Sequence, residues 1–227
     1  MLTKSDHERI TAAITEVESK TSGEIFCVLA HEVSRYREVP LAWAAIAALA
    51  VPPALVLSGL HRLAMVDIFS SWTDDSVRGV EGLILRALST YTLLQGAIFL
   101  CVALIVALPR VRRFVTPQFL KRHRVRQMAR HHFAAAGARL SKAEPHILIY
   151  ASLYDRQVEL VAHRAIHEAV GAGPWNAAVA AVIDGMKAGK PADGYIQAIE
   201  ICGEALAMHF PPNGSPRNAF PNSVLET

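Results

Sequence analysis

Charge is missing from two long stretches of this chain. There is no Asp, Glu, Lys, Arg or His in the 22 residues from Val39 to Leu60, nor in the 23 from Ala87 to Pro109. In a soluble protein such runs would have to form a buried core hairpin, and runs of this length rarely occur there in pairs. Cysteine is scarce as well. Cys27, Cys101 and Cys202 have no metal-ligand spacing, and an odd count gives no disulfide framework, so reduced thiols are expected. The net charge of +3 is too small to argue for a nucleic-acid partner. No glycine-rich phosphate loop and no Cys-x5-Arg motif is present, so the chain lacks the usual local signs of phosphoryl chemistry. The opening MLTKSDHERI is charged and predicts no cleavable signal peptide.

Each uncharged run is long enough to cross a membrane. A bilayer core about 30 Å thick needs roughly 20 helical residues at about 1.5 Å each. Two crossings return the chain to the side it left. The expectation is a transmembrane hairpin, 39–60 and 87–109, joined by an external connection, 61–86, whose Trp72 would mark the interface. The remainder, 1–38 and 110–210, then forms one domain, followed by a disordered, proline-rich tail at 211–227. Eleven Lys and Arg residues flank the runs on the domain side (Lys20, Arg35, Arg37, Arg110, Arg112, Arg113, Lys121, Arg122, Arg124, Arg126 and Arg130). The connection holds three, Arg62, Arg78 and Arg86. The positive-inside bias therefore puts both termini in the cytoplasm, as a two-pass protein of the inner (plasma) membrane. The basic cluster after Pro109 would meet anionic headgroups, making membrane lipids a partner. Ala44, Ala47, Ala48 and Ala50 would let the two spans approach closely, and Pro52-Pro53 predicts a kink in the first.

The polar parts read as alternating helices and strands. Ser5-x-x-Glu8 resembles a capping box, and Ile10, Ala13, Ile14 and Val17 mark the buried face of the helix it opens. EIFCVL (24–29) reads as a buried strand. Thr116-Pro117 is expected to open a basic helix to about Arg139, with Met128, Ala129, His132, Phe133 and Ala136 on one face. HILIYASL (146–153) and QVELVA (157–162) read as strands in a hairpin. Three helices follow: 164–170, one carrying Trp175, Val179, Val182 and Met186, and one carrying Tyr195, Ile199, Cys202 and Leu206. This order predicts an α/β domain with helices layered on a sheet.

TSGEIFCVLA, HILIYASLYDRQVELVAHRAI and the helical WNAAVAAVIDGMKAGKPADGYIQAIEICGEAL together resemble the TPM domain family, in its membrane-bound bacterial branch. The family takes its name from a thylakoid-lumen protein, a photosystem II repair protein and a nematode receptor modulator. The resemblance implies an α/β/α sandwich around a small mixed sheet, here interrupted by the two-helix hairpin. It also implies acidic residues at a sheet edge that bind a divalent cation such as calcium, and phosphatase activity in some members. Carried onto this chain, Glu24, Asp155 and Arg156 are the catalytic candidates. Where family members often have aspartate after the third strand, this chain has His163. With Asp155, His163 and His167 are the metal candidates, the two imidazoles lying four apart on one helix face.

Calcium wants six to eight oxygen ligands, and this set falls short of that. The leading expectation is therefore a protein-binding or scaffold module, in membrane-protein maintenance, with a protein partner. The alternative is a membrane-tethered, metal-dependent phosphatase. Convergence of Glu24, Asp155, His163 and His167 in one pocket would favour the enzyme.

Overall fold

The computed structural model describes residues 2–34, 36–59, 80–138, 145–212 and 222–227. The expected connection at 61–86, Trp72 included, lies outside the described residues up to 79, as do Arg35, Arg139 and most of the tail. The chain forms two compact units, residues 1–35 with 118–227 and residues 36–117.

The first unit is a mixed α/β domain. Its sheet has the order β3-β2-β1-β4, from β1 (Glu24–Ala30), β2 (His146–Ser152), β3 (Gln157–Ala162) and β4 (Val224–Glu226). β1 pairs in parallel with β2 from Glu24↔His146 to Ala30↔Ser152, and in parallel with β4 from Cys27↔Val224 to Leu29↔Glu226. β3 closes an antiparallel hairpin on β2. All seven residues of β2 are buried, as a strand covered on both faces requires.

Alternation along the strands sends each residue to one of two cores. Ile25, Cys27, Leu29, Ile147, Ile149 and Ala151 face α1 (Lys4–Glu18) and two later helices, which lie after β3 in the chain. Val28, Ala30, Leu148 and Tyr150 face a different helix, which contributes Val125 and Ala129. In chain order the second unit supplies α2 (Glu38–Leu57), α3 (Val80–Ala107) and α4 (Pro109–Val115). The first unit resumes with α5 (Gln118–Gly137), the cover of the second face. After β3 come α6 (Arg164–Val170), α7 (Gly173–Lys187) and α8 (Pro191–His209). Helices thus lie on both faces of the sheet.

Two expectations are corrected. The tail is not disordered to its end, because Val224 buries its side chain and 224–226 add a strand to β1. The cap of α1 is Thr3 with Asp6 instead of Ser5 with Glu8. Thr3 Oγ1 accepts from the Asp6 N–H at 3.1 Å, and the Asp6 carboxylate accepts from the Thr3 N–H at 2.9 Å. Burial of Leu2 in the core fixes where the chain turns into the helix. The basic helix does open at Thr116-Pro117 and runs over Gln118–Gly137, and a separate short helix, Pro109–Val115, precedes it because proline disfavours helix in the residue before it.

α1 places Ile10 and Ile14 at zero exposure, each contributing about 1.5–3 kcal/mol of burial. Tyr195 is fully buried in α8, where its hydroxyl donates to the Val28 carbonyl at 2.7 Å and ties that helix to the middle of β1. α7 and α8 approach each other through glycine. A Cβ added to Gly185 would lie 2.7 Å from the Gly194 Cα, a backbone atom. Neither helix can give way locally.

In the second unit α2 and α3 pack side by side. Ala44, Ala48 and Pro52 are buried, a stripe at i, i+4 and i+8 along one side of α2. The helix runs through both prolines, and Trp43 Nε1 donates to the Val115 carbonyl at 3.3 Å. Both helices are long and apolar enough to cross a membrane.

Gly185→Ala is expected to destabilise the α/β unit by about 1–3 kcal/mol, the usual range for overpacking. Denaturant unfolding followed by circular dichroism checks this. An unchanged midpoint would mean that the two helices separate freely.

Candidate functional site

The four site candidates do not converge. β1 and β2 run in register, so Glu24 and His146 share one end of the sheet, and His163 joins them because its N–H donates to the His146 carbonyl at 2.9 Å. Asp155 and Arg156 lie in the hairpin beyond Ser152, at the opposite end. Seven strand residues at about 3.3 Å each separate the two ends by roughly 20 Å. The single cluster of Glu24, Asp155, His163 and His167 is therefore not formed.

Asp155, Arg156 and His163 have local roles. Asp155 is 3% exposed, and its carboxylate accepts from the Ser152 hydroxyl at 2.8 Å. Its own N–H points back at Ser152 Oγ, 3.4 Å away, so aspartate and serine close the hairpin on each other. Arg156 has φ +52, the left-handed conformation that lets the four-residue loop rejoin β3. His163 is the N-cap of α6, with Nδ1 accepting from the Ala165 N–H at 3.4 Å. His167 is exposed one turn further on. Among the described residues no group of three or more His, Cys, Asp or Glu side chains is placed to hold a metal ion.

Three features of the domain were not singled out by sequence. At the Glu24 end, Glu18 closes α1 with its carboxylate accepting from the Ile25 N–H at 3.2 Å. Burial pushes this carboxyl up to about 7, with the nearby Glu24 charge adding to it and the Ile25 and Asn222 hydrogen bonds opposing it. What buries Glu18 is the return of β1 and of the tail, which no local pattern reveals. At the other end, beside the carboxyl ends of the parallel strands, is a cavity of about 220 Å³ lined by Leu29, His31, Leu153, Glu226 and Thr227. A second, of about 360 Å³, is lined by Val33, Ser34, Arg124, Gln127, Met128 and His131. Open parallel sheets commonly bind ligands at this end.

Burial shifts other groups of the domain as well. Burial raises the Cys27 thiol well above its ordinary range and pushes Cys202 up to about 12, so neither is a ready nucleophile. Burial, with the Asp155 charge added, pushes the Tyr150 phenol up to about 12. Burial lowers His132, whose ring lies 5.5 Å from that of Tyr150. Phe133, His146 and His163 continue an aromatic row, with ring centroids 4.4 and 5.5 Å apart. This row packs α5 onto the sheet.

The fold defines a mixed α/β protein with a four-stranded sheet layered by helices and two long apolar helices in a second unit. It is similar to the NMR structure of BA42 protein from the psychrophilic bacterium Bizionia argentinensis, with a TM-score of 0.55 and 17% identity, covering 100% of this chain and 96% of that one. At that identity the likeness concerns the fold. No family model matches the chain, and no curated protein does.

Glu18 gives the domain a pH dependence of definite sign. A carboxyl raised in the folded state favours folding fully below its unfolded value, near 4.5, and that contribution is lost as pH rises through about 7. Thermal melts of Glu18→Gln against the parent are expected to show a gain in Tm that is absent near pH 4 and complete above pH 7. Equal gains at both pH values would remove Glu18 as the cause.

Proposed function

We propose that this is an inner-membrane protein whose α2–α3 hairpin spans the bilayer and whose cytoplasmic, TPM-like α/β domain binds other proteins, in the maintenance of membrane proteins. The observation that carries the membrane assignment is the outward face of the hairpin. Leu49, Leu57, Leu88 and Leu104 are 66, 88, 60 and 62% exposed, whereas Ala44 and Ala48 are buried. Water would penalise such a surface, at roughly 25 cal/mol per Å² of apolar area, and hydrocarbon would not. Small residues at the contact and large ones outside is the pattern of helices packed in lipid. The positive-inside bias supports a cytoplasmic α/β domain with both termini on that side.

Protein binding is favoured over phosphatase activity by the placement of the candidate residues. Asp155 is buried and engaged by Ser152, roughly 20 Å from Glu24. A reacting phosphate could not touch both. A domain with a well-packed core and no assembled reaction centre among its described residues suits recognition by its surface and edges.

The membrane part is tested by single cysteines on a cysteine-free background. Ser5→Cys and Ala188→Cys should react with an impermeant maleimide only after the membrane is opened, and Ser76→Cys in intact spheroplasts. Labelling of the two ends from opposite sides would refute the hairpin. For the activity, photo-crosslinking residues at exposed positions of the α/β domain should give discrete protein adducts in intact membranes. Phosphomonoester turnover abolished by Asp155→Asn, or a Tm raised by millimolar calcium, would replace protein binding with the phosphatase.

A further inference from the structure

We propose that the outer edge of β1 is an exchangeable strand-addition site. Val224–Glu226 occupies it in cis, and an extended segment of a partner protein displaces that strand, read as an apolar residue, any residue, then a carboxylate. The inference rests on the protein-binding reading and names the surface and the kind of partner.

The two edges of β1 are held very differently. On the β2 side there are seven register pairs, and every residue of β2 is buried. On the β4 side there are three pairs, and one apolar side chain, Val224 at 5% exposure, enters the core. Leu225 points away at 43% exposure. Backbone bonds hold the end of the segment, beside side-chain contacts made by Asn222, Val224 and Glu226. The His31 N–H donates to the main-chain oxygen of Thr227 at 2.8 Å, and the Thr227 N–H donates to the Leu29 carbonyl at 3.1 Å. Any extended segment can supply such bonds, which is why strand addition is a general mode of peptide recognition.

Selectivity comes from two places. Val224 fills a position between β1 and the α1 side of the core, where a charged or polar side chain would be left buried. Glu226 accepts from the Leu2 N–H at 2.8 Å and lies 3.7 Å from His7 Nε2, so a carboxylate two residues after the apolar one is specifically received. The 220 Å³ cavity against Glu226 and Thr227 is lined also by Leu29 and Leu153. A partner with a larger side chain there would bury more than the chain's own tail does. The chain's own strand competes in cis, so exchange favours a partner brought close at the membrane.

The test uses the full-length protein in detergent and a fluorescent peptide of sequence NSVLET, residues 222–227. Val224→Asp, which puts a charge in the core position, should release the cis strand. The peptide is expected to bind that variant at least tenfold more tightly than the parent. A peptide with Gln in place of the glutamate should bind it more weakly, and one with Asp in place of the valine not at all. A folded variant that ignores the peptide, or a parent that binds it equally well, overturns the proposal. So does a dimer of the parent that the variant abolishes, because tails exchanged between copies would then be the occupant.

Hydrogen exchange on the parent serves if the variant unfolds. Amides of 224–227 exchanging at least a hundredfold faster than those of β2 support displacement, and exchange at the same rate overturns it. Loss of peptide binding leaves crosslinks elsewhere on the domain untouched. Peptide binding without crosslinks anywhere would end the protein-binding reading and keep the edge as a peptide site.

Discussion

The structure depends on one parallel ladder, between Glu24–Ala30 and His146–Ser152. Parallel neighbours cannot be joined by a tight turn, so the chain must leave one end of the sheet and come back to the other. Here that excursion holds the whole second unit and then α5, which covers one face of the ladder it completes. The opposite face is covered by α1, α7 and α8, with the Tyr195 hydroxyl bonded into the centre of β1. Each core is lined by residues from both strands, so neither forms without the pairing.

Much of this was legible because the local signals agreed with one another. β3 and α6 have the bounds that the hairpin connection and Gly171 suggested, 157–162 and 164–170. The face of α8 marked by Tyr195, Ile199, Cys202 and Leu206 is fully buried. The face of α7 is turned from the expected one. Trp175 and Val182 are buried as the spacing implied, but Ala178 and Ala181 take the deep positions and Val179 and Met186 lie at the flank. Close approach at Gly185 and Gly194 explains this, because only small residues fit where two backbones nearly touch.

What could not be read locally depended on distant partners. β4 is short and follows prolines, and its only strand signal is Val224-Leu225. It exists because β1 offers an open edge and a core position for one aliphatic side chain. Glu18 looks like a solvated helix end until β1 and the tail fold over it. The site candidates failed in the same way. Glu24 and Asp155 lie at opposite ends of strands that run in register, a separation that only the pairing reveals.

The length of that excursion carries a consequence for synthesis. Ala30 leaves the ribosome 116 residues ahead of His146. At about 5–20 residues per second the wait is on the order of ten seconds. During that time EIFCVLA, apolar and β-prone, has neither neighbour, which is when such a segment sticks to other chains. A nascent chain of this kind would depend on chaperone cover or very prompt delivery to its destination. Slowing translation between Pro109 and His146 should therefore cost yield, even though the finished protein is unchanged.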